Sequence, residues 1–306
     1  MTMTPAGARL SVFISAHYAP SRIRFLRTVL EEQLALGVAG LNTTLIGNDS
    51  ALMSEPDVQE MQKRFADDGR RLDFAHCGPL DHPFDLTWSH KRYIRPWLHT
   101  AEANDYFVYI EDDIVLTQAN IDYFLTFLGP LSKHGLIPGF LRYEDTPVGR
   151  VSVDFRRPQL IGHSRSLKLQ GRTFINPNNP YWAGFILNRD LALEYVASDS
   201  FDHAASTRKS EWDVRERAAM GLTWEHVPPG YRSRYVVPLK HNRPVESCLV
   251  WHCAQNYTTA ASAFGSVPLD ALFRRGTLRD YAARSAGYVS RLARSALGSG
   301  APVSND

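Results

Sequence analysis

An α/β fold with a mostly parallel central sheet is predicted by two observations. Apolar, β-branched runs alternate with amphipathic stretches along the first third of the chain. Those runs end in polar clusters, Asn48-Asp49 and Glu111-Asp112-Asp113, which is where ligands of such sheets bind, outside the carboxyl ends of the strands. A chain of 306 residues, 44% hydrophobic and 22% charged, has material for one large domain or two small ones.

The elements follow in order. "LSVFISAHY" reads as the first strand, and "SRIRFLRTVLEEQLALG" as an amphipathic helix with Ser21 as N-cap and Gly37 as stop. "LNTTLIGND" is a β-branched second strand, "DVQEMQKRFADDG" a helix, and "RRLDFAHCG" a third strand. "HKRYIRPWLHTAEA" is a helix leading into the apolar "YFVYIEDD". Residues 130 to 180 are rich in Gly, Pro and Arg and suit loops with short strands such as "GRVSVDF". "NNPYWAGFILNRDLALEYVAS" then reads as turn, strand and helix capped by Asn188, "SEWDVRERAAMG" as a helix, and "SCLVWHCAQNY" as a last apolar strand. The organisation expected is a half of alternating strands and helices over 1–130, a second half of the same domain over 131–260, and a C-terminal segment over 261–306.

Composition excludes several classes. A net charge of +2 gives no electrostatic argument for nucleic acid. The N-terminal apolar run lacks a basic leader and a small-residue cleavage site, and no later run reaches the roughly 18 apolar residues of a membrane span. Three cysteines without C-x-x-C spacing, Cys77, Cys248 and Cys253, argue against a disulfide framework and a structural zinc, and suit a reducing cytoplasm. "LDALFRRGTLRDYAARSAGYVSRLARSALG" carries an apolar face and many arginines, so it reads as a helix packed on the core or as a basic amphipathic helix in peripheral contact with a membrane.

Three consecutive acids at the end of a buried strand ask for a cation. A divalent ion bound to substrate phosphates needs only one or two carboxylates from the protein. "YFVYIEDDIVLT" resembles the D-x-D segment of GT-A fold glycosyltransferases, in which an apolar strand delivers acids to a Mn²⁺ or Mg²⁺ ion on the diphosphate of a nucleotide sugar. The resemblance implies Asp113 as metal ligand, with Glu111 and Asp112 directed at ribose, water or donor sugar. "LVWHCAQNY" is similar to the late segment from which many such enzymes supply a histidine to the same ion, and implies His252. The order of elements over residues 9 to 258 matches that layout. It implies a GT-A sheet with a smaller acceptor region, Gly184 where backbone approaches donor or acceptor, Trp182 stacked on a sugar, and a catalytic acid in "KSEWDVRERA".

Glu211 and Asp213 are the two acids available there for taking the acceptor proton. Ser210 to Asp213 fits a capping box, which occupies Asp213 and leaves Glu211 freer. Lys91, Arg92 and Arg95 precede the acidic strand and could assist a leaving diphosphate, with Arg92 the best placed. His17, Asn48 and Asp49 fall where family members contact base and ribose, Asp49 being the strongest.

The function implied is metal-dependent sugar transfer from a nucleotide-diphosphate donor, by family habit UDP-linked and inverting, to a glycan, lipid-linked or other glycoconjugate acceptor. A retaining enzyme of the same fold shares these motifs. A sugar-nucleotide nucleotidyltransferase would carry a Gly-rich basic loop after the first strand, where this chain has "SAHYAPSRIR". A non-catalytic carbohydrate-binding or scaffold protein would keep the fold without using the acids.

Overall fold

A computed structural model describes residues 7–161, 165–259 and 264–276. Strands and helices alternate as β1 (Arg9–Ala16), α1 (Ile23–Leu34), β2 (Gly40–Gly47), α2 (Pro56–Asp67), β3 (Arg71–His76), α3 (Lys91–Thr100) and β4 (Asp105–Glu111). There follow β5 (Ile114–Val115), α4 (Gln118–Ser132), β6 (Ile137–Pro138), β7 (Leu141–Thr146), β8 (Gly149–Ser152), β9 (Gln159–Leu160), β10 (Ser166–Leu169) and β11 (Arg172–Ile175). The rest comprises β12 (Gly184–Leu187), α5 (Arg189–Val196), α6 (Val214–Ala218), β13 (Tyr235–Lys240), β14 (Arg243–Pro244), β15 (Leu249–His252), α7 (Asn256–Thr259), β16 (Val267–Pro268) and β17 (Phe273–Arg274).

The central sheet has the order β12-β4-β1-β2-β3. β4, β1, β2 and β3 are parallel, and β12 joins the edge antiparallel to β4. Parallel strands are covered on both faces, which is why they read as continuous apolar runs. In β4, Phe107, Val108, Tyr109 and Ile110 are all buried, and Phe107 stacks on Phe13 of β1 at 4.4 Å between ring centroids. The chain leaves β1 toward β2 on one side and returns to β4 on the other, so the strand order reverses between β1 and β4. Register aligns the carboxyl ends, with Ala16 opposite Gly47, Gly47 opposite His76, and Ser15 opposite Glu111. His17, Asn48, Cys77 and Asp112 therefore leave the sheet side by side, at the place where such folds bind ligands.

A second sheet, ordered β16-β8-β7-β15-β5, stands against that edge. β5 follows β4 after the Asp112-Asp113 turn and pairs antiparallel with β15, so His252 is opposite Ile114. β6, β10, β11, β13 and β14 form a third sheet.

Several local expectations shift. Pro20 occupies the first position of a 3₁₀ turn over Pro20–Arg22, placing Ser21 inside the turn rather than at an N-cap, and α1 ends at Leu34 ahead of Gly37. Asn188 does cap α5, accepting from the Leu191 amide at 2.9 Å. The helix expected from Ser210 is confined to Val214–Ala218, because the capping box falls later: Asp213 is the N-cap, and Glu216 Oε2 accepts the Asp213 amide at 3.0 Å. Ser210 Oγ instead accepts the Trp212 amide at 3.0 Å, closing a local turn. The C-terminal helix does not begin at Leu269. Leu272 and Phe273 are buried in the core, and Phe273 lies in β17 beside β9. The remainder of that predicted helix, from residue 277, lies outside the described residues. No helix among the described residues is long and apolar enough to cross a membrane.

Gly184 has a packing role. A Cβ added there would stand 2.5 Å from the Tyr109 carbonyl oxygen and 2.7 Å from the Trp182 ring. The close approach expected toward a substrate is instead an approach of β12 to β4, and Trp182, at 2% exposure, is a core side chain rather than a sugar platform. Gly184→Ala is expected to destabilise the protein by at least about 1–3 kcal/mol, since the obstacle is backbone that cannot step aside. A urea midpoint unchanged from the parent would show the approach to be less tight than this.

Candidate functional site

The three acids separate on leaving β4. Glu111 turns toward Tyr181, whose hydroxyl donates to Glu111 Oε1 at 2.9 Å. Asp112 and Asp113, both 5% exposed, turn to the other side, toward Arg22 and His252. Arg22 forks onto Asp112, with Nε 3.2 Å from Oδ2 and Nη2 on Oδ1, and the same Nη2 is 2.9 Å from Asp113 Oδ2. His252 Nε2 approaches that Asp113 oxygen at 3.4 Å. The other oxygen, Asp113 Oδ1, is buried with no hydrogen-bond partner. A buried unpaired carboxylate oxygen is costly and asks for a ligand.

The imidazole is held from behind. His252 Nδ1 donates to Glu144 Oε1 at 2.7 Å, which turns Nε2 toward Asp113. Glu144, fully buried on β7, also accepts the amides of Tyr257 at 3.1 Å and Thr258 at 2.8 Å in the first turn of α7. A carboxylate behind Nδ1 that directs Nε2 forward, here onto Asp113, is an arrangement also used to orient metal-binding imidazoles.

Charge balance is tight in so dry a place. Burial and the neighbouring Asp113 push the Asp112 carboxyl up to about 7, against the pull of Arg22. Burial alone would raise Asp113 too, but His252 and Arg22 outweigh it and hold Asp113 well below the usual carboxylate range. Burial opposes the charge on His252, yet Asp113 and Glu144 raise it to about 9. Glu144 lies below its ordinary value, because the imidazole and the amides above it overcome desolvation. Glu111 is raised, first by burial, with Arg215 pulling the other way and Asp113 adding to it.

Beyond Tyr181 lies a pocket of about 210 Å³ lined by Arg142, Asp154, Tyr181, Trp212, Glu216 and Tyr257, among others. Its floor is an ion pair. Arg142 donates through Nε to Asp154 at 3.1 Å and again through Nη2, with both side chains buried, and its guanidinium lies 4.7 Å from the Tyr181 ring centroid. The pocket shares walls with the acids, since Tyr181 bonds Glu111 and Tyr257 packs on His252 at 5.6 Å between centroids. Aromatic faces beside hydrogen-bonding charged groups can hold a small polar ligand with an apolar face.

The other predicted residues are distributed along the sheet edge. Asn48 Oδ1 accepts the Tyr18 amide at 2.8 Å, and Asn48 O meets His76 at 3.2 Å. Asp49 caps the 3₁₀ turn Ser50–Ser54 through the Ala51 amide at 2.8 Å, and His17 is exposed. Arg92 Nη2 reaches His76 O at 3.4 Å from its exposed position at the start of α3, the far side of the edge from His252. Lys91, in contrast, is a core residue: Nζ donates to Ser200 O at 2.7 Å and lies 3.6 Å over the Trp88 ring, out of reach of any diphosphate. Glu211 is exposed and does not line the pocket, whereas Trp212 and Glu216 do.

Among the described residues no group of three or more His, Cys, Asp or Glu side chains forms a ready metal cage. Asp113 and His252 meet as a pair, which is fewer protein ligands than such a cage has. Sequence reasoning missed Arg22, Glu144 and the Arg142–Asp154 floor. The signal present was "LRYEDT", where Arg142 and Glu144 put two charges on the same face of a strand whose pleat sends both inward. Comparison with protein-family models and with curated proteins finds no match to this chain.

Proposed function

We propose that this chain is a metal-dependent glycosyltransferase of the GT-A type, moving a sugar from a UDP-linked donor to a glycan or other glycoconjugate acceptor with inversion. The observation that carries the reading is the meeting of Asp113, with its bare buried oxygen, and His252, oriented by Glu144, at the point where the strand order reverses. Asp113 and His252 would hold Mn²⁺ or Mg²⁺, and a bound ion would neutralise charge developing on the departing diphosphate. His17, Asn48 and Asp49 line the part of the edge assigned to base and ribose, and Arg92 is assigned to the leaving diphosphate. Glu111 is fixed by Tyr181, which lines the aromatic pocket, and that pocket suits one sugar ring rather than a whole nucleotide sugar. Work at the cytoplasmic face of a membrane on a surface glycan fits this reading, with any peripheral contact left to the C-terminal segment.

Transfer also needs a base for the acceptor hydroxyl, and the reading assigns it to the segment Glu211–Glu216. The capping box that favoured Glu211 does not form at Ser210; Asp213 is instead the N-cap of a later box, its side chain accepting Val214 N at 2.6 Å and the amide at the third helical position. Both acids stay in contention.

The test is thermal stabilisation of the full chain by UDP with Mn²⁺, followed by a screen of nucleotide sugars for metal-dependent hydrolysis. No shift with any nucleoside diphosphate and metal would sink the reading. Of Glu211→Gln and Asp213→Asn, one should keep nucleotide binding and lose transfer by about 10²–10⁴-fold, the contribution expected of a positioned base. If both variants transfer normally, the base lies elsewhere.

A further inference from the structure

Arg22 occupies the position from which a cation would serve Asp112 and Asp113. It is the last residue of the 3₁₀ turn that runs into α1. Its Nη2 bridges both acids, and on Asp113 Oδ2 it converges with His252 Nε2, at 2.9 and 3.4 Å respectively. A guanidinium and an imidazole thus crowd one oxygen while its twin, Oδ1, has no partner. Neighbouring buried acids cannot both stay ionised without a counter-charge, and the guanidinium supplies it.

The two sides of this contact differ in freedom. The acids are on a buried turn, each side chain 7% exposed, while the Arg22 side chain is 30% exposed. It enters from an open groove of about 780 Å³ lined by Ser21, Arg24, Phe25, Gln255 and Asn256. A divalent ion held between Asp113 and His252 would place a second positive charge beside Nη2 on a single carboxylate. The guanidinium can yield by turning into the groove, where Arg24 already makes the surroundings cationic. A forked guanidinium there matches a phosphate as well as it matches a carboxylate.

We propose that Arg22 is a resident counter-cation that a divalent metal must displace, and that the displaced guanidinium then binds the diphosphate, coupling metal occupancy to nucleotide binding. The inference rests on the metal site proposed above. Its consequence is a pair of opposite effects. Losing Arg22 removes a competitor for the metal and a ligand for the phosphates, so one equilibrium strengthens as the other weakens. A residue that only supports the fold would weaken both or change neither.

The experiment uses the full chain. Mn²⁺ alone is titrated with the free ion followed by electron paramagnetic resonance, and UDP is titrated by calorimetry at saturating Mn²⁺. Arg22→Gln should bind Mn²⁺ alone on the order of tenfold more tightly and UDP on the order of tenfold more weakly, the scale of a charge-assisted hydrogen-bond pair. Arg22→Lys keeps the charge without the fork and should fall between the two, which also covers a glutamine variant that fails to fold. If the parent protein binds Mn²⁺ and UDP but Arg22→Gln and Arg22→Lys show no gain in Mn²⁺ affinity, the displacement is wrong and the metal site stands. If the parent shows no metal-dependent UDP binding, the metal site falls and the displacement with it.

Discussion

On the proposed reading, Asp113→Ala should abolish metal-dependent binding of UDP. Asp113 is the acid on which His252 and Arg22 converge, and it alone of the three carries a buried oxygen with no partner. Removing a group that merely supports a metal ligand costs about 10–100-fold in affinity, so removing the ligand should cost at least about 100-fold. Glu144→Gln supplies the graded control. It keeps the shape behind His252 but weakens the hold on Nδ1, and the expected loss is the smaller, supporting-group one. Calorimetric titration of UDP with Mn²⁺ into each variant reads both numbers, and circular dichroism checks the fold. Equal affinities for Asp113→Ala and the parent would remove Asp113 from the site. A Glu144→Gln loss as large as that of Asp113→Ala would make Glu144 more than a support.

Arg142→Met should cost the protein about 3–5 kcal/mol of stability, a large share of the 5–15 kcal/mol that a domain typically has. The pair with Asp154 has side chains only 6% and 8% exposed. Removing the guanidinium strands the Asp154 carboxylate in the floor of the pocket, and it also removes the cation from above the Tyr181 ring. The double variant Arg142→Met with Asp154→Leu should recover most of the loss, because an apolar pair of similar volume avoids burying any charge. Urea unfolding of the three variants gives the comparison. A single-variant loss below about 1 kcal/mol would mean that water reaches the pair and screens it, as at an exposed salt bridge.

Much of the fold was legible because burial writes itself into residue order. The first four strands and the helices between them appear where apolar period and length put them, since a parallel strand covered on both faces must be apolar throughout. Asn188 was legible as a cap because its side chain bonds an amide three residues on, a contact between sequence neighbours. Capping misled at Ser210 for the same local reason, as Asp213 with Glu216 made a better box than Ser210 with Asp213. The start of the C-terminal stretch, up to residue 276, misled for a different one. Its apolar period is helical, but Leu272 and Phe273 are drawn into the core beside β9, and tertiary burial outweighs a marginal helix.

The sequence by itself determined the sheet and the edge at which polar residues gather; a family resemblance singled out Asp113 and His252, and the fold brings those two together. Only the tertiary structure decided which groups face them. Glu144 behind the imidazole, Arg22 across the acids, and Tyr181 on Glu111 are contacts between segments far apart in the chain, and no local pattern encodes such a partner. It also withdrew Lys91, Trp182 and Gly184 from the chemistry, because each has a packing task visible only once β12 is laid against β4 and α3 against the 3₁₀ turn at Ser200. The physical reason is common to both lists: backbone and apolar period act between neighbours in sequence, while desolvated charges are settled by whatever the fold brings within a few ångströms.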